Sequence, residues 1–221
     1  MKHTVIFDVD GTLLDTERIN MEGWRKAGAH MGYQIPEEIL VKTRGLNKGM
    51  SLLLYQEHFG KEFPFEEVRE QRVLFAEEII ASISPEQLRK PSAMEVLEVL
   101  REKGFRLAVA SATEQEKTVS HLERAGLRDY FQAVVTGDMV EKGKPAPDMF
   151  LLAARRLGSS PEECIVVGDS PADVFAASAA GMDIYLIPDQ VPANSDTRAR
   201  SRQVLNDLGQ LLCAMEKDGW I

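Results

Sequence analysis

Thr4-Val5-Ile6-Phe7-Asp8-Val9-Asp10-Gly11-Thr12 is the stretch on which the reading of this chain turns. Its first half is a continuous apolar run and reads as a buried strand. Its second half sets Asp8 and Asp10 where that strand ends. Gly11 lets the backbone turn sharply, so both carboxylates can converge at the strand's C-terminal edge. Open α/β sheets place their ligands at that edge. A carboxylate pair there can hold a divalent cation and still offer one oxygen as a nucleophile. Taken alone, Asp8–Thr12 is also compatible with a plain acidic turn after a strand.

Working outward, four more apolar runs read as strands: Arg106–Ser111, Ala133–Gly137, Cys164–Gly168 and Asp183–Pro188. They are continuous rather than alternating, as suits a parallel sheet covered on both faces. Helical patterns separate them, so the spacing predicts an α/β fold with a doubly wound parallel sheet. Thr113 with Glu116 fits a capping box, and the helix it opens carries Val119 and Leu122 inward and stops near Gly126. Ser160-Pro161 with Glu163 is a second start signal. Ala172–Ala180 is an Ala-rich helix closed by Gly181. Leu205, Leu208, Leu212 and Met215 outline a final amphipathic helix.

The first strand stands apart from the others. Far more chain separates it from the second strand than one crossover needs. Helical patterns fill that interval, through Ile19, Trp24 and Ala27, over Met50–Phe59, and along Val68, Phe75, Ile79 and Ile83. Asp15 can cap the first of them, and Gly45, Gly49, Gly60, Pro64 and Pro85 punctuate the set. The reading is a core domain over residues 1–15 and 89–221 with an α-helical cap domain inserted at 16–88. An insertion emerging beside the carboxylate pair can serve as a lid.

The chain has 221 residues, 44% hydrophobic and 28% charged, which suits a globular protein with a sizeable core. A formal net charge of −9 argues against nucleic acid or an anionic membrane as partner. It leaves room for a phosphorylated small molecule, because a metal and a few local cations can invert the field within one cleft. The two cysteines, Cys164 and Cys213, are too few for a disulfide scaffold. Nothing near the start resembles a signal peptide, and no apolar run is long enough to span a bilayer. A cytoplasmic protein is the expectation.

The remaining strand ends supply further candidates. Ser111, Ala112 and Thr113 offer a hydroxyl and backbone N–H groups before a helix, which fits an anion site or an ordinary N-cap. Lys144 sits between Gly143 and Pro145-Ala146-Pro147, a braced position for a cation aimed at a fixed target. Asp169 and Asp173 flank the start of a helix and suggest completion of an oxygen-rich Mg²⁺ site.

In this order and spacing the chain resembles the haloacid dehalogenase superfamily of phosphohydrolases with a helical cap, in the branch of β-phosphoglucomutase and sugar phosphatases. Asp8–Thr12, Ser111, Lys144 and Gly168–Asp173 match the family's four motifs, and Lys144–Asp148 with Gly181-Met182 match its branch. The resemblance implies an Mg²⁺-dependent phosphatase acting on a small phosphomonoester through an aspartyl-phosphate. It implies Asp8 as nucleophile and Asp10 as acid and base. It implies metal ligation by Asp8, the main-chain carbonyl of Asp10, and Asp169, with Asp173 direct or through water. Ser111, the N–H of Ala112 and Lys144 would hold the phosphoryl group. The partner implied is a small phosphorylated metabolite.

Within the same family, a phosphosugar mutase is the nearest rival. Thr16 is shared with the mutases, whereas Asn20 stands where they resemble one another in carrying histidine. Alignment on Ser84-Pro85 puts Glu78 where the mutase cap carries lysine. Arg44, Gly45 and Lys48 are left as cap residues able to meet a substrate's remote anion. A phosphoacceptor receiver domain and a silent binding module share parts of the pattern. The long insertion disfavours the first and the intact motif set the second.

Overall fold

A computed structural model describes residues 2–43 and 48–221. Strands β1 (Thr4–Phe7), β2 (Arg106–Ser111), β3 (Ala133–Thr136), β4 (Cys164–Gly168), β5 (Asp183–Leu186) and β6 (Gln203–Val204) form one sheet in the order β3-β2-β1-β4-β5-β6. Every neighbouring pair is parallel. Because β1 is followed in space by β2 on one side and β4 on the other, the order reverses beside β1. That is the switch point at which open sheets leave a crevice.

Burial explains why these runs became strands. All residues of β1, β3 and β4 are buried. Alternation sends Ile6, Ala108, Ala110 and Val166 into a cluster with Met149, Phe150 and Ala153 of the helix Asp148–Arg156 and Val174 and Ala177 of the helix Pro171–Ala180. Val5, Phe7, Leu107 and Val109 are equally buried on the opposite face. There Phe7 meets Phe131 edge-on at 6.3 Å between ring centroids.

Two compact units emerge: Met1–Asp15 with Ser84–Ile221, and Thr16–Ile83. The return to the sheet-bearing unit thus comes at Ser84, ahead of the sequence-based boundary at residue 88. Main-chain bonding gives the reason. Asp15 N donates to Leu88 O at 2.8 Å and Lys90 N to Leu13 O at 2.9 Å. An antiparallel bridge joins Leu14 to Arg89, and Leu88 is fully buried.

The helical unit holds helices Thr16–His30, Glu37–Lys42, Lys48–Phe59 and Phe65–Ser82. Gly23 lets the first and last of these approach closely, since a Cβ there would lie 2.8 Å from the Arg72 carbonyl oxygen. Tyr55 is fully buried and stacks on Trp24 at 4.9 Å and on Phe63 at 5.3 Å. No helix of the described residues is long and apolar enough to cross a membrane.

Three local expectations change. Leu205 leaves the final helix, which spans Leu211–Lys217, and its N–H instead extends the pairing beyond β6 by donating to Leu186 O at 2.8 Å. Ser160 and Glu163 do form a capping box, but over a single 3-10 turn, Pro161–Glu163, that leads straight into β4. Thr113 does not cap the helix Gln115–Arg124, whose N-cap is Glu114.

The chain end is tied down by Asp218, which accepts from Tyr185 Oη at 2.6 Å and from Arg202 Nη2 at 2.9 Å. The Arg202 hydrogen bond, outweighing burial, holds the Asp218 carboxyl below its ordinary value. A depressed folded-state pKa adds stability above the unfolded value near 3.9, lost as pH falls through the folded value. Asp218→Asn should therefore be destabilised at pH 7 in urea titrations, and its deficit should shrink as the pH drops below about 4. A deficit that stays constant down to acid pH would place its cause outside this carboxylate's charge.

Candidate active site

Strand register brings the sequence candidates to one edge. Phe7 pairs with Val109 of β2 and Val167 of β4, and Asp8 N donates to Val167 O at 2.8 Å. β1 ends at Phe7, while β4 runs on past Val167 to Gly168 and β2 past Val109 to Ser111, so the three strand ends lie side by side. Gly11 takes φ +87°, and its N–H closes the turn onto Leu14 O at 2.9 Å. A side chain at Gly11 would strike Asp169 Oδ2, 2.5 Å from the Cβ position.

Lys144 lies at the centre of this edge. It is delivered by the segment after β3, whose Ala146 N–H turns back onto Gly143 O at 3.0 Å. Its Nζ contacts Asp8 Oδ1 at 2.6 Å, Asp173 Oδ1 at 2.6 Å and Ala110 O at 2.7 Å. The side chain is only 5% exposed. Burial works to lower its pKa, but the Asp173 and Asp8 carboxylates outweigh it and hold the ammonium above its ordinary value. Burial pushes the Asp8 carboxyl the other way, up to about 8; Lys144 opposes that rise, and Asp173 and Asp10 add to it.

Asp8, Asp169 and Asp173 are all buried, and one oxygen of each lies within 4.8 Å of the others. Asp173 Oδ2 accepts from Ser170 Oγ at 2.6 Å and Ser170 N at 3.1 Å, leaving Oδ1 to face Lys144. Gly168 makes room, since a Cβ there would sit 2.7 Å from the Asp173 side chain. One ammonium does not balance three clustered carboxyl groups, and the raised pKa of Asp8 reflects burial and the like charge around it. An all-oxygen donor set of that charge fits a hard divalent cation such as Mg²⁺.

The Asp10 carboxylate lies outside that triad. Its Oδ2 accepts from Thr113 Oγ1 at 2.8 Å and from Ser111 Oγ at 3.2 Å. Ser111 Oγ in turn accepts from Thr113 N at 3.1 Å. Neighbouring Ala112 is exposed, with its carbonyl close against Gly137, where a Cβ would lie 2.6 Å from that oxygen. Four strand ends thus contribute an acid cluster, a buried cation and a hydroxyl-held second acid.

The family model for haloacid dehalogenase-like hydrolases matches residues 2–181. The chain belongs to that family. A fructose-1-phosphate phosphatase of Escherichia coli is 32% identical over 81% of this chain and 93% of its own length. A phosphorylated carbohydrates phosphatase of Thermotoga maritima is 31% identical over 81% of this chain and 82% of its own. Among solved structures, a haloacid dehalogenase family hydrolase of Deinococcus radiodurans with bound phosphate and sodium is 26% identical. It covers 100% of this chain and 97% of that one at a TM-score of 0.84.

In this family member the core candidates Asp8, Asp10, Ser111, Lys144, Asp169 and Asp173 meet at one edge. The candidates in the inserted segment divide. Thr16 is buried at the start of its helix. Asn20 and Lys48 line a cavity of about 400 Å³ within the helical unit, together with Trp24, Thr43, Arg69 and Arg72. Lys48 is paired there with Glu66 at 2.8 Å. Arg44 and Gly45 lie outside the described residues.

Two residues escaped the sequence reading. Thr113 looked like a helix cap, and only the strand register reveals its hydroxyl on Asp10. Arg72 is the other. The sequence alignment put Glu78 at the cap's cation position, but Glu78 is exposed and does not line the cavity. Arg72 does, with Nη1 donating to Asn20 Oδ1 at 2.7 Å and its guanidinium 5.6 Å from the Trp24 ring centroid. Its Nε is buried and makes no hydrogen bond among the described residues. Helix Phe65–Ser82 buries Phe65, Val68, Ala76 and Ile80, and Arg72 falls on the same four-residue repeat as the last three, a periodicity that could have found it.

Gly168→Ala tests the tight approach of Asp173. The added methyl must push Asp173 off Lys144 or shift the backbone, at a cost of about 1–3 kcal/mol. At roughly 2–4 °C per kcal/mol for a chain of this size, calorimetry should read a clear drop in Tm. An unchanged Tm would mean that the packing at β4's end is looser than described.

Proposed function

We propose that this hydrolase is a phosphatase that cleaves a small phosphomonoester, a sugar phosphate first among candidates, through an aspartyl-phosphate on Asp8. The observation that carries the reading is the separation of the two neighbouring acids. Asp8 is buried against Lys144, while Asp10 hangs on two hydroxyls, suiting one to attack and the other to move protons. The names and coverage of the phosphatase relatives support the same chemistry.

In this reading an Asp8 oxygen bonds to phosphorus as the P–O bond to the leaving group breaks. Asp10 gives its proton to the departing oxygen. Asp10, now a carboxylate, takes a proton from water as that water attacks phosphorus and frees Asp8. Lys144 offsets the repulsion between the Asp8 carboxylate and the phosphate dianion. Ser111 and the Ala112 N–H bind the transferring group. Asp8, Asp169, Asp173 and the Asp10 carbonyl would hold Mg²⁺, which when bound supplies charge neutralisation at the phosphoryl oxygens.

The helical unit, with Thr16, Asn20 and Lys48 and with Arg44 and Gly45 outside the described residues, is assigned to substrate recognition as a cap. An aromatic floor at Trp24 beside the Asn20 amide and the Arg72 guanidinium suits a polyol carrying an anion.

Purified protein with Mg²⁺ should release inorganic phosphate from sugar phosphates in a panel of small phosphomonoesters. Asp8→Asn should lose that turnover by several orders of magnitude while keeping its fold. Turnover unaffected by Asp8→Asn would refute the mechanism.

Arg72 also favours a second reading, a phosphosugar mutase, because it restores a cation to the cavity that the alignment had emptied. The two readings part on β-glucose 1-phosphate with Mg²⁺ and a trace of the 1,6-bisphosphate. The phosphatase yields free phosphate, and Arg72→Ala raises KM more than it lowers kcat. Fast formation of glucose 6-phosphate with little free phosphate would establish the mutase instead.

A further inference from the structure

Lys90 stands where the chain re-enters the sheet-bearing unit, and it is the cation of a three-member ion cluster. Its Nζ lies 2.8 Å from Asp189 Oδ1 and 3.4 Å from Asp15 Oδ1. All three side chains are mostly buried, with exposures of 19%, 19% and 23%. Burial works to lower the Lys90 pKa, yet Asp189 and Asp15 raise it above its ordinary value. The backbone is engaged as well, since Lys90 N donates to Leu13 O at 2.9 Å. Lys90 thus grips the Gly11–Asp15 loop at two points, Leu13 and Asp15, and reaches from there to the loop after β5.

Asp189 closes the circuit. Its Oδ2 accepts from Gln190 Nε2 at 2.8 Å and lies 3.3 Å from the position a Cβ would take at Gly11. Asp169 Oδ2 lies 2.5 Å from that same point. Gly11 is therefore wedged between Asp169, of the acid triad, and Asp189, which Lys90 holds in place. Freed from Lys90, the Asp189 carboxylate would be repelled by Asp169, and the glycine turn would lose its outer wall.

We propose that Lys90 and Asp189 form a clamp that positions the Gly11 turn against Asp169, and through it the metal-binding triad. They are positioning residues that touch neither the substrate nor the cation. The proposal rests on the phosphatase reading only for its catalytic readout, because metal uptake reports on the clamp directly.

The test is a double-mutant cycle with Lys90→Met, Asp189→Asn and the pair, read by calorimetric titration with MgCl₂ alone and by phosphate release from a sugar phosphate. Residues that orient ligands through another group typically cost 10–100-fold in metal affinity or activity. Each single variant should weaken Mg²⁺ binding by about 10-fold and lower kcat with little change in KM. The pair should be no worse than the worse single, and Lys90→Arg should restore most of the loss. A merely structural role would lower Tm while leaving the Mg²⁺ affinity of the folded protein unchanged, and that result overturns the clamp. Losses that multiply in the pair overturn it too, as does tighter Mg²⁺ binding by Lys90→Met alongside weaker binding by Asp189→Asn, which would reveal net charge alone. Wild-type protein that takes up no Mg²⁺ also overturns it. Mg²⁺ uptake without phosphate release would instead refute the phosphatase reading, with the titrations still deciding the clamp.

Discussion

A buried ammonium is the constraint on which this site depends. Lys144 is almost fully enclosed, and its three N–H donors meet Asp8, Asp173 and the carbonyl of Ala110. Burying such a charge is costly unless it is paired and hydrogen-bonded, and removing one partner leaves the charge exposed to that cost. The ends of β1, β2 and β4 and the segment after β3 are therefore obliged to meet at one point. Parallel strand pairing, the bare Cα of Gly168 and the short turn at Gly143–Ala146 all serve that meeting.

The same geometry divides two acids that the sequence sets side by side. Asp8 is drawn inward, where desolvation raises its pKa and Lys144 opposes the rise. Asp10, beyond the end of the strand, faces the hydroxyls of Ser111 and Thr113. Environment rather than residue type sets the difference, which is how one pair of carboxylates can serve two chemical roles. The acid triad gains from this division. With the Asp10 side chain held elsewhere, the buried cluster is Asp8, Asp169 and Asp173.

Legibility in the sequence followed the strength of the local signal. The five longer strands were readable because fully buried parallel strands are unbroken apolar runs. β6, only Gln203–Val204, carries no such signal, and Leu205 beside it imitated the start of a helix. Asp8 and Asp169 were readable because each follows a strand end directly, and Asp10, Lys144 and Asp173 because turn-forming Gly, Ser or Pro residues mark the segments that carry them. Thr113 was misread because threonine before a helix has two uses, and tertiary contact decided between them. The helical unit was harder still. Its cavity is assembled from residues far apart in sequence, such as Asn20 and Arg72, so counting back from Ser84-Pro85 landed on Glu78, which lies off the cavity.

Under the proposed function, that contrast bears on how such a protein can change its substrate without changing its reaction. The strand-end residues are locked by sheet hydrogen bonds and by one buried cation, so losing Lys144 would loosen several strand ends at once. The cavity of the helical unit is held by aromatic packing among Trp24, Tyr55, Phe63 and Phe65. Its polar rim is Asn20, Thr43, Lys48 and Arg72. Exposed Lys48 can be exchanged at little cost to the helices, because surface polar changes seldom move stability far, whereas Arg72 carries a buried Nε and lies over the Trp24 ring. A family that keeps its strand-end acids fixed and varies its rim would retain one reaction and acquire many substrates, as one fold hosting varied sites allows. In this chain the Arg72–Asn20 pair is the part of that rim where a guanidinium and an amide together hold a donor-rich surface beside the Trp24 ring.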